Sequence, residues 1–276
     1  MIRSILVGLD GSPCSQAATE LGLRWAQKYN ALLVGMGVVD AENISSPSAV
    51  PVGGGAFKSD TDEALVHEAT RRVHQFLEHF ELQATEVQVA HKLLEDTGTP
   101  WQRLVQQVQR FDLLLLGQTN NFLFATQEGP CGTLTKALNH TSRPIVMVPA
   151  EPVTGESILV AYDGSLQAAR ALYALVASGL AGNGPVHVLS IDQDKVQAAR
   201  TANVAAEYLA SHEVPSTVHA NSGGDHASLV LEQAEGLEAG LIVMGAYGHT
   251  GLKEFFVGST TKRLIAKSNV PLFLFH

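Results

Sequence analysis

Residues 241–260 of the 276-residue chain read LIVMGAYGHTGLKEFFVGST. The opening run, LIVM, is the kind of uninterrupted apolar segment that forms a strand buried on both faces of a parallel sheet. The chain then passes glycines and hydroxyl residues, namely Gly245, Gly248, Gly258, Ser259 and Thr260. Glycine lets backbone N–H groups approach an anion closely, and the first turn of a helix adds unpaired N–H groups. The stretch predicts a strand, a phosphate-binding loop and a helix. A simple turn followed by an ordinary helix cap is the alternative.

Three blocks of sequence in the first half of the chain recur in the same order in the second half. SILVGLDGS at 4–12 recurs as SILVAYDGS at 157–165, and GTLTKALNHTSRPIVMV at 132–148 recurs as GSTTKRLIAKSNVPLFLF at 258–275. FDLLLLGQT in the first half likewise matches AGLIVMGAY in the second. Repetition of the start, middle and end of a segment indicates duplication of a whole domain. We therefore predict domains at 1–150 and 156–276, joined by the sequence PAEPVTGE.

Within each half, short apolar runs alternate with longer segments of helical periodicity. The predicted strands are near 2–9, 31–38, 86–93, 112–116 and 144–149, and at 157–162, 185–191, 215–220, 240–244 and 270–275. Alternation of this kind is typical of an α/β protein with a parallel sheet covered on both faces. In such a sheet, ligands lie beyond the carboxyl ends of the strands, where the strand order reverses. Asp163, at the end of the first strand of the second half, is then expected to face the glycine loop.

Composition excludes several classes of function. The formal net charge is −9 and no basic run is present, so phosphate-rich partners such as nucleic acid or an anionic membrane are not expected. No apolar stretch is long enough to span a bilayer. The chain starts directly with a predicted strand and has two cysteines, for which a cytoplasmic location is the expectation.

Both halves resemble universal stress protein domains, and the whole chain resembles the tandem type. The resemblance rests on an Asp at the end of the first strand and on G-x-x-G, nine residues, then G-[ST] after the fourth. It implies two similar three-layer αβα domains of the Rossmann-like, adenine nucleotide alpha hydrolase-like class, each with a five-stranded parallel sheet in the order 3-2-1-4-5. It also implies ATP in the crevice of the second half, held by Ala161, Asp163, Ile191, Gly245, Gly248, Gly258, Ser259 and Thr260. Ala161 and Ile191 would line the adenine pocket, and Asp163 would lie near the ribose or a divalent ion.

The first half departs from this pattern. Gly117 is present, but Asn120 stands in place of the second glycine, and eleven residues separate Asn120 from Gly132. The bulky side chains of Phe122, Leu123 and Phe124 would crowd or fill a phosphate pocket. We predict that the first half does not bind ATP, although Asp10 is present there.

The sequence thus favours an ATP-binding regulatory protein of the stress response, with the nucleotide in the second half and a homodimer of tandem chains as its assembly. It leaves open whether Mg²⁺ accompanies ATP and which proteins are partners. A ligand-free dimerising module and a slow ATP hydrolase are the alternatives. Any hydrolysis is expected to be slow because no Walker lysine, general base or arginine finger is evident. The last strand of each half, PIVMV and PLFLF, is predicted to be an edge strand, and the two could pair with each other.

Three further groups of residues have chemically active side chains. Lys253 and Lys262 are possible phosphate neighbours, although Lys262 is equally an ordinary helix-surface lysine, and His249 is better explained as a polar loop residue. A metal site formed by His67, His74 and His79 is disfavoured against a solvated helix, because no ligand set at metal spacing surrounds them. A redox-sensitive pair of Cys14 and Cys131 is disfavoured against two unremarkable small residues.

Overall fold

The computed structural model describes residues 1–45, 55–122, 132–246 and 258–276. Contacts divide the chain into two compact units, one of residues 3–142 and one of residues 1–2 with 143–276. The unit boundary therefore lies just before the last strand of the first sequence repeat. The domain boundary at 149–156, drawn from the repeats, stays a prediction.

The unit formed by residues 3–142 alternates strands and helices as predicted. Its elements are β1 (Ser4–Leu9), α1 (Pro13–Tyr29), β2 (Leu32–Val39), α2 (Ala41–Ile44), α3 (Gly55–Glu86), β3 (His91–Thr97), α4 (Pro100–Val108), β4 (Leu113–Gly117) and α5 (Thr133–His140). The strands lie in the order β3-β2-β1-β4, and all described pairings among them are parallel. Every residue of β4 is buried, as its LLLL sequence predicts for a strand covered on both faces.

The other unit repeats this arrangement. Its elements are β5 (Ile145–Val148), β6 (Ser157–Ala161), α6 (Leu166–Ser178), a short 3₁₀ helix (Leu180–Asn183), β7 (Val186–Asp192), α7 (Lys195–Ser211), β8 (Ser216–Ser222), α8 (His226–Gly236), β9 (Ala239–Gly245), α9 (Ser259–Lys267) and β10 (Leu272–Phe275). The strands of the second repeat lie in the order β8-β7-β6-β9-β10 and are parallel. This is the predicted order 3-2-1-4-5.

The described pairings within each repeat are parallel, as predicted, and one further pairing joins the two repeats. β10 pairs on its outer side with β5, and the two strands are antiparallel, with Leu272 opposite Met147 and Leu274 opposite Ile145. The physical reason is that β10 would otherwise be an edge strand with a row of unpaired backbone groups. The last strands of the two sequence repeats therefore pair, as the edge-strand argument predicts.

Local sequence signals set where the helices begin. The hydroxyl of Ser12 caps α1 by accepting from the Ser15 N–H, and Ser165 caps α6 in the same way through the Ala168 N–H. The Asp-Gly-Ser sequence before each cap turns through a glycine with positive φ, 72° at Gly11 and 76° at Gly164. In each repeat, this turn leads the chain from the carboxyl end of the first strand into the first helix. Among the described residues, no helix is both long and apolar enough to cross a membrane.

Candidate functional site

A cavity of about 540 Å³ lies at the carboxyl ends of β6, β7 and β9, where the strand order of the second repeat reverses. The start of α6, the start of α9 and one face of α8 close it. Its lining residues are Ala161, Tyr162, Asp163, Ser165, Ala168, Leu189, Ile191, Asp192, Gln193, His226, Val230, Met244, Gly245, Gly258, Ser259, Thr260 and Thr261. The cavity thus combines an apolar floor from strands with polar groups at helix starts.

The structure brings together the site residues predicted from the sequence, as far as it describes them. Lining this one cavity are Ala161, Asp163, Ile191, Gly245, Gly258, Ser259 and Thr260. Gly248 lies outside the described residues, as do His249 and Lys253. The stretch between β9 and α9 is therefore represented by its two ends.

Gly245 has a packing role that its sequence context does not reveal. A Cβ on this residue would lie 2.6 Å from the backbone nitrogen of Ala168 and 2.7 Å from the carbonyl carbon of Gln167. The end of β9 therefore touches the first turn of α6 with no room for a side chain. Gly117 is in the same position at the end of β4, where a Cβ would lie 2.7 Å from the Cβ of Cys14. A glycine here is required by packing in both repeats, whether or not a ligand is bound.

The start of α9 differs from the starts of the neighbouring helices. Side chains of Ser165, Asp194 and Asp225 cap α6, α7 and α8 by accepting N–H groups of the first turn. Gly258 at the start of α9 has no side chain that can do so, and its φ of −55° is ordinary. Since the first N–H groups of a helix have no intrahelical acceptor, those of α9 face the cavity with the positive end of the helix dipole. This end of the cavity is suited to an anion.

Two carboxylates also line the cavity. Asp163 is exposed, and one of its oxygens accepts the Ser165 N–H at 2.9 Å. Burial, and secondly the charge of Asp163, raise the pKa of the neighbouring Tyr162, so this phenol keeps its proton. Asp192 ends β7, and its carboxylate accepts the Asp194 N–H at 3.0 Å. Among the described lining residues there is no lysine or arginine.

The corresponding crevice of the first repeat is occupied by its own chain. Asp10, equivalent to Asp163, is only 2% exposed. Its carboxylate accepts the backbone N–H groups of Ser12 at 2.9 Å and of Asn121 at 2.5 Å. Burial, which outweighs these hydrogen bonds, raises the pKa of Asp10 above its usual value. The segment after β4 thus folds back onto the end of β1.

Phe122 completes this occlusion. Its side chain is 1% exposed, and its ring lies 3.2 Å from the point where a Cβ on Gly8 would stand. Gly8 is the counterpart of Ala161, which lines the open cavity of the second repeat. Phe122 therefore fills the space, as the sequence predicts, whereas Leu123 and Phe124 lie outside the described residues.

The sequence profile of the universal stress protein family matches residues 1–149 and again residues 156–276. The chain belongs to the universal stress protein family. It is 24% identical over 190 residues to a universal stress protein of Synechocystis sp., a match that covers 68% of this chain and 65% of that protein. It is 31% identical over 133 residues to a universal stress protein of Thermus aquaticus, covering 43% of this chain and 97% of that protein.

A solved structure shows the same fold along the whole chain. The universal stress protein from Archaeoglobus fulgidus DSM 4304 superposes with a TM-score of 0.66 and 19% identity, covering 98% of this chain and 97% of that one. The tandem arrangement inferred from the internal repeat is therefore found in a known member of the family.

Sequence reasoning missed several residues of the cavity. Asp192 and Gln193 follow directly from the predicted second strand, and their position at its carboxyl end was the available signal. Tyr162, His226 and Met244 carry no motif and are found only from the structure.

The remaining candidates have ordinary surroundings. His74 contacts Glu95 at 2.9 Å and His67 lies 3.9 Å from Glu63. Within the described ranges, no three His, Cys, Asp or Glu side chains are arranged to hold a metal ion. Cys14 is a buried free thiol, 3.1 Å from the hydroxyl of Thr119, and Cys131 lies outside the described residues.

Proposed function

We propose that this universal stress protein binds ATP in the cavity of its second repeat and acts as a nucleotide-controlled regulator of the stress response. The observation that carries the proposal is the meeting of seven sequence-predicted residues around one cavity of about 540 Å³. That volume is within the range of small-molecule and cofactor sites, about 300–1,000 Å³. The motif resembles that of the ATP-binding branch of the family.

The two ends of the cavity suit the two ends of a nucleotide. Ala161, Ile191 and Leu189 supply an apolar surface for a flat base, and Asp163 lies beside it for the hydroxyls of a ribose. The uncapped start of α9, with the hydroxyls of Ser259 and Thr260, would donate to phosphate oxygens. Gly258 allows the phosphates to approach because it presents no side chain.

We further propose that ATP binds with Mg²⁺. The described lining contains Asp163 and Asp192 but no lysine or arginine, so no permanently charged side chain described there offsets the charge of a triphosphate. A divalent ion between the phosphates and a carboxylate would lower this repulsion. Affinity for ATP should therefore fall when Mg²⁺ is removed by chelation.

The function that follows is binding and regulation rather than turnover. Asp163 and Asp192 each accept an N–H group of their own turn, which is a structural role for both carboxylates. Occupancy would instead change the surface around the α9 start. We propose that cytoplasmic partner proteins and a second tandem chain bind that surface and distinguish its occupied from its empty form.

The test is to fill the cavity in the way that Phe122 fills the first crevice. Ala161→Phe should lower ATP affinity at least about tenfold, which corresponds to about 1.4 kcal/mol. Ala210→Phe on the exposed side of α7 is the control and should leave affinity unchanged. Isothermal titration with ATP and Mg²⁺ measures both, and melting curves show whether each variant is folded. Unchanged affinity in a folded Ala161→Phe variant would overturn the assignment of the site.

A further inference from the structure

A pair of histidines on adjacent strands stands apart from the nucleotide cavity. Nδ1 of His187 on β7 and Nε2 of His219 on β8 are 3.0 Å apart. The ring centroids are separated by 5.2 Å and the ring planes are inclined by 48°. β7 and β8 run in parallel, with His219 opposite Leu189, so the two histidines are diagonal neighbours on one face of the sheet.

This pair is open to solvent on one side. Both histidines are partly exposed, and every residue of β8 is partly or fully exposed. β8 is the last strand in the order β8-β7-β6-β9-β10, so no further strand covers it within its unit. A bound ion could therefore keep water molecules at its remaining coordination positions.

We propose that His187 and His219 form a binding site for a divalent transition metal ion that prefers imidazole, such as Zn²⁺, Ni²⁺ or Cu²⁺. Imidazole nitrogens bind these ions at about 2.0–2.1 Å, so two nitrogens on one ion are about 2.9 Å apart at a right angle and about 3.4 Å apart at a tetrahedral angle. The observed separation of 3.0 Å falls between these values. The two rings would have to rotate so that both lone pairs turn from each other onto an ion beside the line that joins the nitrogens, while the strands already hold the nitrogens at a suitable separation.

Metal binding also changes the protons on the two rings. A metal ion requires a lone pair on both facing nitrogens, so the ring that donates the hydrogen bond must move its N–H to its other nitrogen. Since protons compete with the ion for the same lone pairs, metal affinity should fall as pH is lowered.

The chemistry also separates this site from the nucleotide cavity. Asp163 and Asp192 are oxygen ligands, which suit Mg²⁺, whereas a pair of imidazoles suits the later transition metals. The described residues place no third metal ligand beside the pair. We therefore expect one weakly held ion per chain, competed by chelators and unaffected by ATP.

The experiment is a titration of the full chain, free of nucleotide and metal, with Zn²⁺ at pH 7.5. His187→Gln and His219→Gln should each lower the affinity at least about tenfold. His212→Gln is the matched control, because the ring centroid of His212 lies 4.6 Å from that of Tyr208 and His212 is outside the pair. Cu²⁺ added below one equivalent should show two equivalent nitrogen couplings by electron paramagnetic resonance in the control and fewer in either pair variant.

Three results would overturn the proposal. One is the absence of saturable Zn²⁺ binding in the original chain. Another is equal Zn²⁺ affinity in the original chain and in folded His187→Gln and His219→Gln variants. The third is a loss in either pair variant that is matched in His212→Gln. Lower melting temperatures in the pair variants, without metal binding by the original chain, would show that the histidines serve only to hold β8 against β7.

Discussion

The two crevices of this chain are built from the same parts and differ in what occupies them. In each repeat Asp-Gly-Ser follows the first strand, and the fourth strand ends in a glycine packed against the start of the helix that follows the first strand. In the second repeat, Asp163 is exposed and Ile191 borders a cavity of about 540 Å³. In the first, Asp10 is 2% exposed, and Val38, the counterpart of Ile191, is fully buried.

The comparison shows which features separate a crevice that is open to a ligand from one that is filled. The strand-end aspartate and glycine are present in both repeats, so neither distinguishes an open crevice from a filled one. Three features do distinguish them in the described residues: the bulk of Phe122, the turn that brings the Asn121 N–H onto Asp10, and the short helix α2 after β2, which has no counterpart after β7. A ligand site in this fold therefore depends on space as much as on motif.

The largest expected effect concerns Phe122. Because its ring is buried and contacts the space over Gly8, Phe122→Ala should lower the free energy of unfolding by about 3–5 kcal/mol. Urea unfolding measures this change. Leu82→Ala, at a side chain that is 69% exposed, is the control and should change stability by less than about 0.5 kcal/mol. A small effect of Phe122→Ala would mean that the ring does not fill the crevice, and the comparison would fail.

An intermediate effect is expected at the paired glycines. Gly245→Ala and Gly117→Ala each place a Cβ within 2.7 Å of a neighbouring helix start, so each should cost about 1–3 kcal/mol of stability. Thermal unfolding of the two variants side by side checks this. If Gly245→Ala instead weakened ATP binding and left stability unchanged, Gly245 would be a ligand glycine and the packing explanation would be wrong.

The smallest effect is a pH dependence at Asp10. Its pKa is raised above the ordinary 3.8 by burial, so its protonated form is favoured by folding. Its contribution to stability is present below pH 3.8 and is lost as pH rises through the raised pKa of the folded state. Relative to Asp10→Asn, the original chain should therefore gain stability between pH 7 and pH 4. Other carboxylates titrate in both proteins and cancel in the difference. If the stability difference between the original chain and Asp10→Asn were the same at pH 4 and pH 7, the pKa of Asp10 would not be raised by burial.

Much of the fold follows from the sequence, because hydrophobic periodicity and internal repeats can be recognised directly in the order of the residues. Nine of the ten predicted strand regions match observed strands to within about two residues at each end, whereas the strand predicted at 86–93 is β3 at 91–97, because α3 continues to Glu86. The order 3-2-1-4-5 is found in the second repeat. The antiparallel pairing of β5 with β10 follows from the edge-strand argument, but the grouping of β5 with residues 143–276 does not. That grouping depends on the sum of contacts, which no local pattern contains.

Site residues that directly follow a strand could be predicted from the sequence. Site features that depend on contacts between residues far apart in the sequence could not. Gly258 and Ser259 could be placed beside Asp163 because both follow carboxyl ends of strands that flank the switch point. The packing role of Gly245 is visible only once the position of Ala168 is known. The burial of Asp10 involves the backbone N–H of Asn121, and since almost every residue has such an N–H group, the sequence does not single out Asn121. The contact of His187 with His219 depends on strand register, which the sequence does not specify.

The number of ATP molecules bound per chain tests the central claim most directly. Protein freed of carried-over nucleotide is titrated with ATP and Mg²⁺ by isothermal calorimetry, and native mass spectrometry counts the bound nucleotides. The account predicts one ATP per chain, because one crevice is open and the other is filled by Phe122. Two per chain would show that the first crevice opens to ligand, and none would show that the cavity of the second repeat is not a nucleotide site.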